Sequence, residues 1–83
     1  MEKKLPQIRK AFGKRVRELR QIAEITQEEL ALKSGLDRSY VGQVERGERN
    51  VSLGNIHKIA AGLGVSPSAL LETSRVSEPS QRR

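Results

Sequence analysis

Apolar residues recur at intervals of three and four along most of the chain, which is the spacing of one face of a helix. Pro6 suits the first turn of a helix, and Gly13 is a weak point that does not end it. No segment shows the two-residue alternation of a strand, so the pattern predicts helices and no sheet. The apolar face of the first predicted helix consists of Ile8, Phe12, Val16, Leu19 and Ala23.

Capping signals divide the rest of the chain into four further helices. Thr26 and Glu29 have the spacing of a capping box at the start of the second helix. Gly35 is placed to end that helix, because glycine tolerates the positive φ of a C-terminal cap. The N-caps of the third, fourth and fifth helices are predicted at Asp37, Ser52 and Ser66.

The length of 83 residues allows one small domain. We expect this domain to span residues 6–72, after a flexible N-terminus at residues 1–5. From residue 73 the composition changes to Ser, Arg, Glu, Pro and Gln, so residues 73–83 are predicted to be a disordered polar tail. The predicted fold class is a compact, all-α arrangement of five helices.

The segment from Gln27 to Arg46 meets the requirements of two helices joined at a steep angle by a short turn. Such a pair needs a small residue in the first helix and a residue with positive φ at the turn. It also needs apolar residues that anchor the second helix. The chain provides these in Ala31, Gly35, Leu36, Val41 and Val44.

The outward positions of the third helix then carry residues suited to reading DNA. Arginine can donate two hydrogen bonds to a guanine edge, and glutamine can form an equivalent pair with adenine. Gly42 would leave room for the helix to enter the groove. The predicted outward residues are Arg38, Ser39, Gly42, Gln43 and Arg46.

The net charge of +6 supports DNA binding only weakly, because the excess lies at the chain ends. Residues 1–20 carry eight Lys and Arg against two Glu, whereas residues 21–72 carry five against seven Asp and Glu. Without cysteine, disulfides and cysteine-based zinc sites are excluded. One histidine, His57, and no clustered acids argue against an enzyme, a metal or a cofactor. With no signal peptide or membrane-spanning run, we expect a cytoplasmic protein.

Residues 12–72 resemble the Cro and lambda-repressor type of helix-turn-helix, the xenobiotic response element family. The resemblance is carried by the strings FGKRVRELR, ITQEELALKSGLDRSYVGQVERGERN and SLGNIHKIAAGLGVSPSALL. The stretch LDRSYV followed by VERGERNVSL is similar to the controller proteins of restriction–modification systems, which are small dimeric regulators. The chain departs from the family pattern at Val51, where proline is frequent, and at Gly54, where an acidic residue is frequent.

The resemblance implies specific roles for matching residues. The implied base contacts in the major groove are Arg38, Ser39, Gln43 and Tyr40. For two of these an alternative stays open, since Gln43 could reach a phosphate and Tyr40 could pack on the sugar–phosphate backbone. The implied phosphate contacts are Gln27, Arg46, Arg49 and Asn50. An ion pair that ties the first helix to the third is implied for Arg20 and Glu45.

We therefore expect a sequence-specific transcriptional regulator that binds a palindromic operator in double-stranded DNA as a homodimer. The alternatives are a phage-type repressor and an antitoxin-like protein-interaction module. The short polar tail argues against the antitoxin-like module. No membrane, small-molecule ligand, cofactor or metal is expected. The dimer surface is predicted on the fourth and fifth helices, with the candidates Leu53, Val65, Leu70 and Leu71.

Overall fold

The computed structural model describes residues 4–72, and within this range every regular element is a helix. None of these helices is both long and apolar enough to cross a membrane. The predicted all-α, five-helix fold is confirmed, although the first helix begins at residue 5, inside the segment predicted to be flexible. The predicted tail at residues 73–83 lies outside the described residues. The helices are α1 (Leu5–Ile22), α2 (Gln27–Ser34), α3 (Arg38–Glu45), α4 (Leu53–Leu63) and α5 (Pro67–Leu70).

The two ends of α2 follow the prediction. Thr26 Oγ1 accepts a hydrogen bond from the backbone N–H of Glu29 at 3.0 Å, and the Glu29 carboxylate accepts one from the backbone N–H of Thr26 at 2.8 Å. This reciprocal capping box satisfies two backbone donors at the helix start. Gly35 ends α2 with φ of 72°, a conformation that would strain any residue with a side chain.

The other predicted caps differ in how they act. The Ser52 hydroxyl accepts a hydrogen bond from the backbone N–H of Asn55 at 3.2 Å, so it caps α4 as expected. At the starts of α3 and α5 the predicted residues hold the N-cap position, but their side chains form no cap hydrogen bond. These residues are Asp37 and Ser66.

The core lies where the inner faces of all five helices meet. Its buried residues are Phe12, Val16, Leu30, Ala31, Val41, Val44, Ile59, Ala60 and Leu70. The predicted inner faces of α2 and α3 are therefore confirmed. The predicted face of α1 is wrong at its two ends. Ile8 lies one turn before the core and lines only a shallow groove with Leu71, and Ala23 follows the last residue of the helix.

Gly13 marks the place where α1 packs directly against the C-terminal turn of α3. A Cβ added at Gly13 would overlap the carbonyl oxygen of Val44 and lie 2.7 Å from that of Glu45. These neighbours are backbone atoms, which cannot move aside as the end of a flexible side chain can. The absence of a side chain at Gly13 thus lets α3 pack closely against α1. The sequence predicts only a weak point in α1 at this position, not a packing role.

Candidate nucleic-acid interface

α3 is anchored by one face and presents the other to solvent. Val41 and Val44 are almost completely buried in the core. Arg38 and Ser39 lie exposed at the start of the helix, and Gln43 is half-buried one turn later. In the part of the chain that the structure describes, the Arg38 side chain forms no hydrogen bond or ion pair, so its donors can bind an external acceptor.

Gly42 does not face outward as predicted. It is buried, and a Cβ placed on it would lie 3.6 Å from Oε1 of Gln27 and 3.2 Å from Nη1 of Arg46. The space left by the missing side chain is therefore filled by Gln27 from α2. This correction follows from the steep packing of α2 on α3, which turns this side of α3 toward the neighbouring helix.

The Glu45 carboxylate, at the end of α3, accepts hydrogen bonds from two other parts of the chain. Arg20 donates through Nε at 2.6 Å and Nη2 at 3.0 Å, and Gln27 donates through Nε2 at 3.0 Å. Arg20 also donates through Nη1 to the carbonyl of Ile25 at 2.9 Å. The hydrogen bond with Glu45 raises the pKa of Arg20. The ion pair expected between Arg20 and Glu45 is thus present and nearly buried, and it also fixes the Gln27 side chain.

Tyr40, Gln43 and Arg49 form one cluster on the outer side of α3. The Arg49 guanidinium carbon lies 5.0 Å from the centre of the Tyr40 ring, and Arg49 Nη1 donates to Gln43 Oε1 at 3.4 Å. Asn55 of α4 donates through Nδ2 to the Tyr40 hydroxyl at 3.1 Å. The sequence predicts roles for Tyr40, Gln43 and Arg49 one at a time and contains no local signal for Asn55, which reaches Tyr40 only through the fold.

The loop after α3 carries a second ion pair. Arg46 donates to Glu48 through Nε at 2.9 Å and Nη2 at 3.2 Å. This hydrogen bonding raises the pKa of Arg46 and lowers the pKa of Glu48. No role was predicted for Glu48, although an acidic residue two positions after an expected phosphate contact is a visible signal in the sequence. Asn50, also an expected phosphate contact, is exposed in the same loop.

The four residues predicted for a dimer surface do not lie together at the surface. Leu53 and Leu71 are 71% and 56% exposed, so they remain candidates. Val65 is half-buried and packs against the core. Leu70 is fully buried in the core of the same chain, and it could reach a second copy only by leaving that core. Its assignment to the dimer surface is therefore wrong.

The fold and the site together define a DNA-binding protein with a helix-turn-helix. α2 and α3 are held at a fixed angle by buried apolar residues and by the Glu45 carboxylate. α3 presents Arg38 and Ser39, and the arginines of the following loop lie beside it. This is the arrangement that brings a helix to the base edges of the major groove.

Comparison with known proteins gives the family. The helix-turn-helix family model matches residues 16–70, and the chain belongs to this family. Its members of the Cro and lambda-repressor type are DNA-binding transcriptional regulators, and so is this chain.

Individual relatives match over most of their length. The chain is 43% identical over 77 residues to the control protein C.BamHI from Bacillus amyloliquefaciens, which covers 92% of this chain and 95% of that protein. It is 45% identical over 60 residues to the control protein C.MunI from a Mycoplasma species, covering 71% and 81%. Among solved structures, the restriction–modification controller protein C.AhdI from Aeromonas hydrophila superposes with a TM-score of 0.72 at 59% identity, covering 74% and 92%.

Proposed function

We propose that the chain controls the genes of a restriction–modification system by binding a palindromic operator as a homodimer. The similarity to three control proteins across most of their lengths supports this role. Residues 6–72 would be the DNA-binding unit, acting in the cytoplasm without catalysis and without a cofactor. An endonuclease gene and a methyltransferase gene beside this one would support the proposal, and their absence would favour a regulator of other genes.

The observation that carries the proposal is the exposed start of α3 on a fixed scaffold. Arg38 has donors without partners among the described residues, and two of them match the O6 and N7 acceptors of guanine. Ser39 is a smaller donor and acceptor next to it. We propose that Arg38 and Ser39 contact bases, and that Gln43 and Tyr40 contact bases further along the groove.

Phosphate contacts would come from residues around this reading surface. Gln27 stands at the N-terminus of α2, where backbone N–H groups and the helix dipole favour an anion. Arg46, Arg49 and Asn50 lie exposed in the loop after α3. Contacts of this kind fix the position of the protein on DNA without reading the sequence.

In vitro selection from a random duplex library tests the proposal. The full chain is expected to enrich one sequence with two inverted half-sites, because two copies would place α3 in major grooves about 34 Å apart. Failure to enrich any sequence would overturn the proposed function. Enrichment of a single, unsymmetrical site would overturn the dimer on a palindrome.

Replacing Arg38 with alanine tests its reading role. We expect a loss of about 1–3 kcal/mol on the enriched duplex and little loss on a shuffled duplex, measured by fluorescence anisotropy. Lys33→Ala is the matched control, because it also removes one positive charge and Lys33 lies in a groove with Ala61 and Gly62, away from α3. Equal losses of Arg38→Ala on both duplexes would contradict base reading.

The dimer surface is proposed to include Leu53, at the start of α4, and Leu71, which directly follows α5, with Val65 as a further candidate. Leu71 lies with Ile8, Val51 and Ile56 in a shallow groove that also contains Arg9, Arg49 and Asn50, and we propose that Leu71 contacts a second copy of the chain. We expect Leu71→Asp to produce monomers in sedimentation velocity, because a charge would be buried at the contact. Leu32→Asp on α2, where the leucine is also exposed, should stay dimeric. Dimers of Leu71→Asp would place the interface elsewhere.

A further inference from the structure

Asn55 of α4 makes a contact with α3 that the proposed DNA contacts leave unexplained. Its Nδ2 lies 3.1 Å from the Tyr40 hydroxyl oxygen and donates a hydrogen bond to it. Both side chains are only half-buried, so the bond adds little to the stability of the fold. The cap of α4 does not need the Asn55 side chain, because Ser52 binds the backbone N–H of Asn55 instead. The main consequence of the contact is therefore that the oxygen of the Tyr40 hydroxyl accepts a hydrogen bond from Asn55.

A tyrosine hydroxyl has one hydrogen to donate and an oxygen that accepts. When the oxygen accepts from Asn55, the hydroxyl hydrogen must point in another direction. Among the described residues no acceptor binds this hydrogen. Tyr40 is thereby left with an unused donor on the outer side of α3.

The surroundings of Tyr40 place this donor in the reading surface. Arg49 covers the ring face with its guanidinium 5.0 Å from the ring centre, and Arg49 also binds Gln43, a proposed base contact. The ring is thus held on one side by the loop arginine and at its tip by α4. With the ring and the hydroxyl oxygen both fixed, the direction of the remaining hydrogen is restricted.

We propose that Asn55 is a positioning residue that makes the Tyr40 hydroxyl an obligatory donor, so that Tyr40 selects a hydrogen-bond acceptor in DNA. The acceptor would be a base atom such as guanine O6 or N7 or thymine O4, or else a phosphate oxygen. An amino group, such as N4 of cytosine, would be disfavoured at that position because the hydroxyl oxygen is already engaged. This inference rests on the proposed DNA contact of Tyr40.

The first experiment observes Tyr40 without DNA. The chain has one tyrosine and no tryptophan, so its intrinsic fluorescence comes from Tyr40. Asn55→Ala should change this emission because the phenol loses its hydrogen-bond partner. His57→Ala, also on α4 and exposed, should leave the emission unchanged. An unchanged emission in Asn55→Ala would show that the contact does not hold the hydroxyl, and it would overturn the inference.

The second experiment is a double-mutant cycle on the duplex that the wild-type chain enriches from a random library. Tyr40→Phe and Asn55→Ala are each expected to weaken binding about three- to tenfold, the range for one hydrogen bond. The double variant should bind no more weakly than Tyr40→Phe alone, because Asn55 acts through the hydroxyl. If Asn55→Ala costs the same factor when residue 40 is phenylalanine, Asn55 acts independently and the inference is wrong.

Repeating the selection with Asn55→Ala identifies the acceptor. If Tyr40 contacts a base, one position of each half-site should lose its discrimination against cytosine, because the freed hydroxyl can also accept. If it contacts a phosphate, the enriched sequence should persist while enriched and shuffled duplexes are both bound more weakly. An unchanged site bound with wild-type affinity would overturn the inference. Failure of the proposed function differs from all of these outcomes, because the wild-type chain itself would then enrich no sequence.

Discussion

Two arginine–glutamate pairs meet at the end of α3, and their glutamates are three residues apart in the sequence. Arg20 and Glu45 join α1 to α3, with 14% and 4% of their side chains exposed. Arg46 and Glu48 lie in the loop that follows, with 60% and 51% exposed. In each pair the guanidinium donates two hydrogen bonds to one carboxylate. The pairs share their chemistry and differ in burial.

Burial changes what each pair can do. Removing one partner of a buried pair leaves a charge without compensation, which costs several kcal/mol. An exposed pair contributes about 0–1 kcal/mol, because water and salt replace the lost partner. The pair of Arg20 and Glu45 therefore holds α3 in place against α1. The pair of Arg46 and Glu48 can open at little cost, which is what the proposed phosphate contact of Arg46 requires.

Gly13→Ala should have the largest effect, because it separates the two helices that the buried pair joins. The new methyl group would overlap the Val44 carbonyl, so α3 must move away from α1. We expect a loss of about 3 kcal/mol or more in the free energy of unfolding, measured in urea. Gly54→Ala is the control, because open space surrounds that position and the change should be neutral or stabilising. Similar stabilities for the two variants would refute the close approach at Gly13.

Glu45→Ala breaks the buried pair directly. It leaves Arg20 unpaired inside the protein and frees Gln27, so we expect a loss of about 3 kcal/mol in urea unfolding. Glu48→Ala removes the same chemical group from the exposed pair and should cost much less stability than Glu45→Ala. If the two variants lose equal stability, burial does not determine how much each pair contributes to the free energy of unfolding.

Arg46→Ala tests whether the exposed pair serves DNA rather than the fold. Its unfolding free energy should stay close to that of the wild-type chain, because water and salt screen the exposed pair. Its DNA affinity should fall on all sequences, and the slope of log K against log salt should decrease by about 1. Glu48→Gln should change the DNA affinity in the opposite direction and bind more tightly, because it leaves Arg46 free for a phosphate. A salt slope unchanged in Arg46→Ala would exclude the phosphate contact.

The smallest effect is the pH dependence of the exposed pair. Arg46 holds the pKa of Glu48 below its ordinary value of 4.5, so the pair stabilises the fold above that pH and is lost as the pH falls through the lowered value. The small difference in urea midpoint between wild type and Glu48→Gln should be constant at pH values above the ordinary pKa of 4.5 and disappear as the pH falls through the lowered pKa of Glu48. The difference should also shrink in 1 M salt, where the Debye screening length is about 3 Å. A difference that persists at low pH would show another cause.

The parts of the molecule that depend on local sequence were predictable. The capping box at Thr26, the turn at Gly35 and the inner faces of α2 and α3 follow from spacing and backbone preference. The rest depends on how distant helices are placed against each other, which no local pattern contains. Residues of this second kind were misread or missed, and they are Gly13, Gly42, Asn55 and Leu70. Glu48 differs from them, because its partner Arg46 is only two residues away and the signal was local.

The Glu45 carboxylate binds α1 through Arg20 and the start of α2 through Gln27, while it belongs to α3 itself. Three helices are thus ordered relative to one another before any DNA is present. Fixing the backbone of a disordered residue costs about 1–2 kcal/mol of conformational entropy, and this cost has already been met during folding. Among residues 4–72, association then needs to immobilise mainly outer side chains, at about 0.5–1.5 kcal/mol each. A chain of this size can therefore use most of its contact energy for binding.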